Sequence, residues 1–338
     1  MRASSAVLID TSIRLWDLDF PKAEALLART RAAYVHLDNL IAHSKRDRDG
    51  KVDAYLAVYL PDELVLLFFI DGDLANAAML TPIGRFQVAI SEAMRRIRAE
   101  PERAEIAFHT APQEQLTAMY ATCAQAPLDL GLNASSPESL FRPLLDRKWT
   151  GLLELISDGR VNYLLVRDGR FSSGLFAGRR DDEAPTAYVG RLFAGASGGA
   201  RLRVTAKAFP GLATFPLQAP PAMVSMFRRF VWDLTELAER EMPGDAGKRA
   251  ERVRTRLIAA HEVLKAVGGR RGSDAADPIA EPSALAEGIA AWARAFLEEL
   301  EIVHPQIAPR LLREAAREHR FALSAVGFFD RLSWQIQW

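Results

Sequence analysis

The sequence predicts an α+β protein: two tandem copies of a small module of antiparallel strands with Asp-Gly hairpins plus helices, followed by an all-helical C-terminal region and a short terminal strand. Three observations predict it. Asp-Gly pairs flanked by apolar runs recur at 71–72, 158–159 and 168–169, and this is the strongest short-range hairpin signal. FFIDGDLANAAML at 68–80 has a counterpart in YLLVRDGRFSSGLF at 163–176. From Pro220 onward, apolar residues recur every three or four positions, the period of a helix.

In the first half, PKAEALLARTR (21–31) reads as a short helix, with Pro21 at its first position and Leu26 and Leu27 facing a core. AAYVHLDNLIAHS (32–44) reads as a strand, and KRDRDGK (45–51) as a charged hairpin tip. VDAYLAVYL (52–60) is β-rich through Val52, Tyr55, Val58 and Tyr59. Pro61 opens a turn, and the unbroken apolar run LVLLFFI (64–70) reads as a central strand buried on both faces. Asp71-Gly72 reverses the chain and DLANAAML returns it. A helix is expected over 81–100, with Thr81 as N-cap, Pro82 at N1, an apolar stripe of Ile83, Phe86, Ile90, Met94 and Ile97, and a Glu92–Arg96 pair. AEIAFHT (104–110) closes the sheet and QEQLTAMYATCA (113–124) forms a further helix.

In the second half, PLDLGLNASSPES (127–139) is a turn-rich connector. SLFRPLLDRK is helical, divided by Pro143 into two short pieces. GLLELIS, RVNYLLVR and RFSSGLFAG form a three-stranded meander whose two Asp-Gly turns specify its register. ARLRVTAKAF (200–209) adds a strand.

The halves match in ordered succession. LLARTRAAYVHL (26–37) pairs with LLDRKWTGLLEL (144–155), LLFFIDGDLANAAM (66–79) with YLLVRDGRFSSGLF (163–176), and Gly84-Arg85-Phe86 with Gly190-Arg191-Leu192. The first half carries an extra hairpin limb around 45–60, and the second a longer charged loop, GRRDDEAPT. Through Thr150-Gly151, Leu153, Leu155, Asp168-Gly169 and Phe176, the second copy resembles the domain of unknown function at the N-terminus of PatA-type bacterial response regulators. The first copy departs from that pattern, with Ala32-Ala33 in place of Thr-Gly. The resemblance spans roughly 130–210, and 20–125 more faintly. It implies a regulatory or scaffolding setting in a bacterium and carries over no catalytic residue.

In the C-terminal third, Met223, Met226, Phe227, Phe230, Leu234 and Leu237 mark one helix, and Val253, Leu257, Leu264 and Val267 a second over 248–267. After a Gly/Pro/Asp-rich break (267–284), Leu285, Ile289, Trp292, Phe296 and Leu300 mark a third helix, and a fourth follows Pro305. Four such helices suggest a bundle. In WQIQW, Trp334, Ile336 and Trp338 share one face of a strand, which docks on the chain's own sheet or on a partner. The expected domains are 1–125, 126–218 and 219–338, with a loop near 268–283.

Composition bounds the activity. The 338 residues include 43 Lys+Arg and 43 Asp+Glu, so formal net charge is zero. That argues against a protein built to grip a polyanion, and mildly favours self-association. A single cysteine, Cys123, excludes an internal disulfide or thiolate cluster and fits a reducing compartment. No uncharged apolar run is long enough to span a bilayer, and the start of the chain lacks a signal-peptide core. A cytoplasmic location without membrane insertion is the expectation.

The six histidines (36, 43, 109, 261, 304, 319) make no HExxH or similar set, and phosphate-loop, GxGxxG and GxSxG motifs are absent. GASGGAR (195–201) lacks the phosphate-binding lysine and reads as a turn. Arg179 and Arg180 are the residues best suited to a phosphate or cyclic dinucleotide, but Asp181, Asp182 and Glu183 beside them offer self-neutralisation, and the PilZ-type pattern is missing. The basic run KRAERVRTR (248–256) reads as a solvated helix face. No catalytic, cofactor or metal residue is assigned. Arg179, Arg180, Phe328, Phe329, Trp334, Ile336 and Trp338 are the candidate interaction surface. The expected function is a non-enzymatic bacterial signalling or scaffold protein with protein partners, homo-oligomers included. The alternative is a sensor of a nucleotide or metabolite.

Overall fold

A computed structural model describes residues 14–44, 52–197, 202–209, 214–268, 276–336 and 338. It shows an α+β chain with two antiparallel sheets and a helical C-terminal region. One compact unit runs to Val88 and includes Ala93–Pro216; the other comprises Ala89–Glu92 and Leu217–Trp338. The longer segment of the second unit begins at Leu217, and residues 125 and 126 both lie in the first unit.

In chain order the first module contains β1 (Glu24–Arg31), α1 (Leu37–His43), β2 (Ala54–Tyr59), β3 (Leu64–Ile70), β4 (Asp73–Thr81), β5 (Gly84–Gln87), α2 (Ile90–Ala99) and β6 (Glu105–Thr110). Its sheet has the order β1-β6-β2-β3-β4-β5, so β3 is interior, as its apolar run demands. Helix α3 (Gln113–Ala124) leads to β7 (Pro127–Leu128), α4 (Pro137–Asp146), β8 (Gly151–Ser157), β9 (Arg160–Arg167), β10 (Arg170–Leu175), α5 (Pro185–Ser197) and β11 (Arg203–Lys207). The second sheet has the order β10-β9-β8-β11-β7.

Four local expectations are corrected. Residues 24–31 are a strand, because the ladder from Glu24↔Thr110 to Arg31↔Glu105 outweighs helix propensity, a weak local preference. Residues 32–44 are a 3₁₀ turn and α1; Asp38 in its first turn and His43 in its last suit the helix dipole. Thr81 ends β4 and donates its hydroxyl to Gly84 O at 3.2 Å instead of capping a helix, and α2 starts only at Ile90. Of the expected stripe, Ile90, Met94 and Ile97 are buried on α2, Phe86 sits in β5, and Ile83 is exposed in the turn. Pro143 leaves α4 unbroken: a Ser136–Ser139 capping box starts the helix, and only one turn follows the proline. The hairpin tip expected at 45–51 lies outside the described residues.

The topology supports the duplication and changes its register. Each module runs strand, helix, three-stranded meander, helix, strand, and in each the last strand sits between the first strand of the meander and the first strand of the module. Asp71-Gly72 corresponds to Asp168-Gly169, 97 positions later, as anticipated. All three turns have positive φ at both residues: 53° and 76°, 50° and 77°, 50° and 76°. These are the primed turns that match strand twist. At the same 97-residue spacing, Asp71 N donates to the Asp53 carboxylate (2.8 Å) and Asp168 N to the Thr150 hydroxyl (3.0 Å). Gly72 N donates to Val52 O and Gly169 N to Trp149 O. Asp53-Ala54 is therefore the counterpart of Thr150-Gly151, not Ala32-Ala33. The other two sequence matches do not hold, since they align β1 with α4 and β5 with α5. The extra element of the first module is β5, not the limb at 45–60.

Equivalent faces of the two sheets contribute to one core. Tyr55, Tyr59, Leu64 and Leu66 from the first join Leu152, Ile156, Val161 and Tyr163 from the second. Helix α3 lies in that core, which is why Leu116, Met119, Tyr120 and Cys123 are all buried, while Thr117 and Thr122 satisfy their hydroxyls on carbonyls of their own helix. The opposite face of the second sheet, through Leu153, Leu155, Leu164 and Val166, packs with Leu140 and Leu144 of α4 and Tyr188, Leu192 and Phe193 of α5.

The second unit contains α6 (Pro221–Glu241), α7 (Ala246–Leu257), α8 (Pro282–Glu301), α9 (Ile307–Ala316) and α10 (Arg320–Ala325). The second helix is shorter than expected, with a 3₁₀ turn over Glu262–Lys265. Phe227, Phe230, Leu234, Val253, Ile289, Trp292, Phe296 and Leu312 belong to one apolar core. The terminal strand is absent from the described residues. Trp334 and Ile336 pack instead against this helical core, and Trp334 Nε1 donates to Glu301 Oε2 at 3.2 Å.

Candidate functional site

The most distinctive chemistry of the described residues lies in the core shared by the two sheets. An N-terminal strap closes it. Leu15, Leu18 and Phe20 are buried there. Asp19 makes a bridge with Arg160, accepting from Val161 N (2.9 Å) and donating its own N–H to Gly159 O (3.0 Å). A Cβ on Gly159 would lie 2.4 Å from Asp17 O, so this turn needs glycine for the strap as well as for its φ. Tyr59 Oη donates to Leu18 O (2.8 Å), Tyr55 Oη to Pro21 O (3.0 Å), and Gln115 Nε2 to the same carbonyl. The Arg29 guanidinium lies 3.8 Å from the Tyr59 ring centroid and 4.8 Å from that of Trp16, and bonds Glu105 and Trp16 O. Burial raises both tyrosine pKa values, Tyr59 to about 12. The two hydroxyls therefore stay protonated and keep donating to the strap.

The core shared by the two sheets also holds a buried charge centre. Arg85 on β5 reaches Glu154 on β8 at 2.6 Å, and the two side chains are 4% and 3% exposed. Burial opposes the Arg85 cation, yet its surroundings, the Glu154 carboxylate foremost, outweigh this and the pKa is raised. Lys207 on β11 is 1% exposed and donates to Gln125 O at 2.6 Å. Desolvation outweighs Glu154 there and lowers its pKa to about 8. Burial pushes the Cys123 thiol up to about 11, so this cysteine is an inert core residue and no nucleophile. Arg85 Nε and Tyr163 Oη are buried without a hydrogen-bond partner of good geometry among the described residues. Sequence reading missed this centre. The helix expected over 81–100 includes Arg85, and the usable signal is Glu154 inside the apolar run GLLELIS.

The sequence-selected residues do not come together as one site. Arg179 folds back on its own loop, donating to the carbonyls of Arg180 and Glu183 and lying 5.9 Å from the Phe176 ring. Glu183 is held by Arg191 through two bonds of 3.0 and 2.8 Å, and Arg180 is exposed. Phe328 is wholly buried, in ring contact with Phe227 and Phe230, and belongs to the core instead of a surface. Phe329 is half-buried against that core. Trp338 is 50% exposed and touches the Phe329 ring at 5.4 Å. Beside it Phe321 is 76% exposed, with the Arg320 guanidinium 4.5 Å above its ring. The basic run on α7 is largely paired: Arg249 with Asp245, Arg252 and Arg256 with Glu299, and Arg254 with Glu251.

No family model, no curated protein and no solved structure matches this chain. Among the described residues no group of three His, Cys, Asp or Glu side chains is placed to hold a metal, and no helix is long and apolar enough to cross a membrane. Two of the cavities among the described residues bear on ligand binding. One of about 870 Å³ in the helical unit is lined by Thr235, Glu239, Lys248, Glu251, Arg254 and Trp292. Another of about 400 Å³ lies among Gln113, Thr117, Thr150, Arg167, Ser172 and Phe215.

Proposed function

We propose that this chain is a non-enzymatic bacterial signalling or scaffold protein that works in the cytoplasm through protein–protein contact. The observation that carries this reading is the surface of Phe321, Trp338, Phe329 and Arg320 on the helical unit. Exposed aromatics beside arginine are the residue types enriched in the energetic centres of protein interfaces. The resemblance of the second module to PatA-type N-terminal domains adds a regulatory setting. The test compares wild type with a Phe321→Ser/Trp338→Ser double variant, by solution mass over a range of concentrations and by retention of proteins from the source bacterium. The expected result is a self-assembly or a partner that wild type keeps and the variant loses at unchanged melting temperature. A monomer that retains the same proteins with or without the two aromatics would overturn the reading.

A second reading, a sensor of a nucleotide or metabolite, draws on the 870 Å³ cavity, which falls in the size range of small-molecule sites. A thermal-shift screen that includes cyclic dinucleotides checks it, and no stabilisation by any of them would count against it.

A further inference from the structure

We propose that the core shared by the two sheets binds one small monovalent anion of the chloride class, held against Arg85 and Tyr163. The first support is charge. Arg85 and Lys207 are 4% and 1% exposed, and Glu154 is the one carboxylate among the described groups that act on both of them. Of the remaining titratable groups, Cys123 acts on both Arg85 and Lys207 and Tyr163 on Arg85; both are neutral at physiological pH because burial raises their pKa values. The cluster thus carries one more positive charge than negative, and an uncompensated buried charge is costly.

The second support is hydrogen bonding. Arg85 uses Nη1 on Glu154, while its Nε–H has no acceptor among the described residues. Tyr163, wholly buried, has a hydroxyl without a partner of good geometry; Thr122 beside it already donates to Met119 O at 2.7 Å. Both orphaned groups are donors. A chloride-class anion accepts from both and cancels the surplus charge. Water meets the first need and leaves the second. A cation meets neither, and a dianion would reverse the imbalance.

Lys207 sets the condition for binding. As pH rises past about 8 it loses its proton, and the surplus charge disappears with it. Anion binding is therefore full at neutral pH and declines above that value. The groups acting on this lysine are Glu154, which favours its charge, Arg85, which opposes it, and Cys123, whose effect favours it.

The test uses the full chain at pH 7, titrating sodium chloride into sodium gluconate at constant ionic strength and following the melting temperature. The expected result is a saturable rise with chloride that shrinks at pH 9. Tyr163→Phe, which keeps the ring in the core, is expected to raise the half-saturating chloride about tenfold, the equivalent of one hydrogen bond to a charged group. Lys207→Met is expected to abolish the chloride dependence without loss of folding. Crystals grown in sodium bromide should show an anomalous peak beside Arg85 Nε and Tyr163 Oη. Equal melting temperatures in chloride and gluconate, or bromide crystals with only a water there, would overturn the proposal.

Discussion

The two modules share one meander and differ in what they turn toward their common core. On the innermost strand pairs, His109 lies opposite Tyr55 in the first module and Lys207 opposite Leu152 in the second, so these two residues occupy equivalent places. Burial lowers the pKa of each. Where the first module has Ala57, the second has Glu154, which the added strand β5 of the first module answers with Arg85. The turns have been kept and the interior has diverged. A primed turn is a local solution that depends on its own residues. An interior charge needs a partner, and the partner can come from the other module.

Breaking the charge centre should have the largest effect. Glu154→Leu leaves Arg85 and Lys207 without their carboxylate, and the expected loss is about 3–5 kcal/mol. Urea unfolding should show it, and the double variant Arg85→Leu/Glu154→Leu should recover most of the loss. An unchanged midpoint in the single variant would mean the pair is not sealed from water.

The turns come next. Gly169→Ala and Gly244→Ala both place a side chain at positive φ, 76° and 82°, which costs about 1–2 kcal/mol. Around Gly244 there is nothing within 4 Å, but a Cβ on Gly169 meets Leu145 Cα at 2.3 Å and Leu144 O at 2.4 Å. Gly169→Ala should therefore be the more damaging by calorimetry. Equal losses would show that α4 does not clasp this turn.

A smaller effect sharpens the equivalence of the turns. Thr150→Val removes the acceptor of the Asp168 N–H and should cost about 1 kcal/mol. Asp53→Thr keeps an acceptor for Asp71 N–H and should be nearly neutral in the same assay. A larger loss from Asp53→Thr than from Thr150→Val would break the comparison.

The mildest prediction concerns pH. His109 is 8% exposed, its Nδ1 has no partner among the described residues, and burial followed by the Lys22 charge lowers its pKa. The unfolded chain then binds the proton more readily. Stability should fall as pH drops through the unfolded histidine value of about 6.5. Unfolding midpoints of wild type and His109→Phe between pH 7.5 and 5 should separate, with the variant flatter; parallel curves would remove His109 from the account.

Much of this was readable beforehand. The three Asp-Gly turns, the interior strand 64–70, the closing strand 104–110 and the helix 113–124 all carry strong local signals, and each is present. The errors fall where local signals compete. PKAEALLARTR has helical composition, but an edge position beside β6 made it a strand. Thr81-Pro82 looks like a helix start, yet it closes a hairpin. The tail residues Trp334 and Ile336 alternate like a strand but found a helical core instead of a sheet. The duplication was legible through its turns, and its register was not, because the two copies retain few of the same residues outside them.

What the amino-acid sequence determined by itself is the set of chain reversals and the alternation of apolar segments, because turn chemistry and hydrophobic period act over a few residues. Only the tertiary structure decided that the two modules share one core, and that Arg85 meets Glu154 across 69 residues of chain. No local pattern encodes such a meeting. Two charges become partners only when burial makes each too costly to leave without the other.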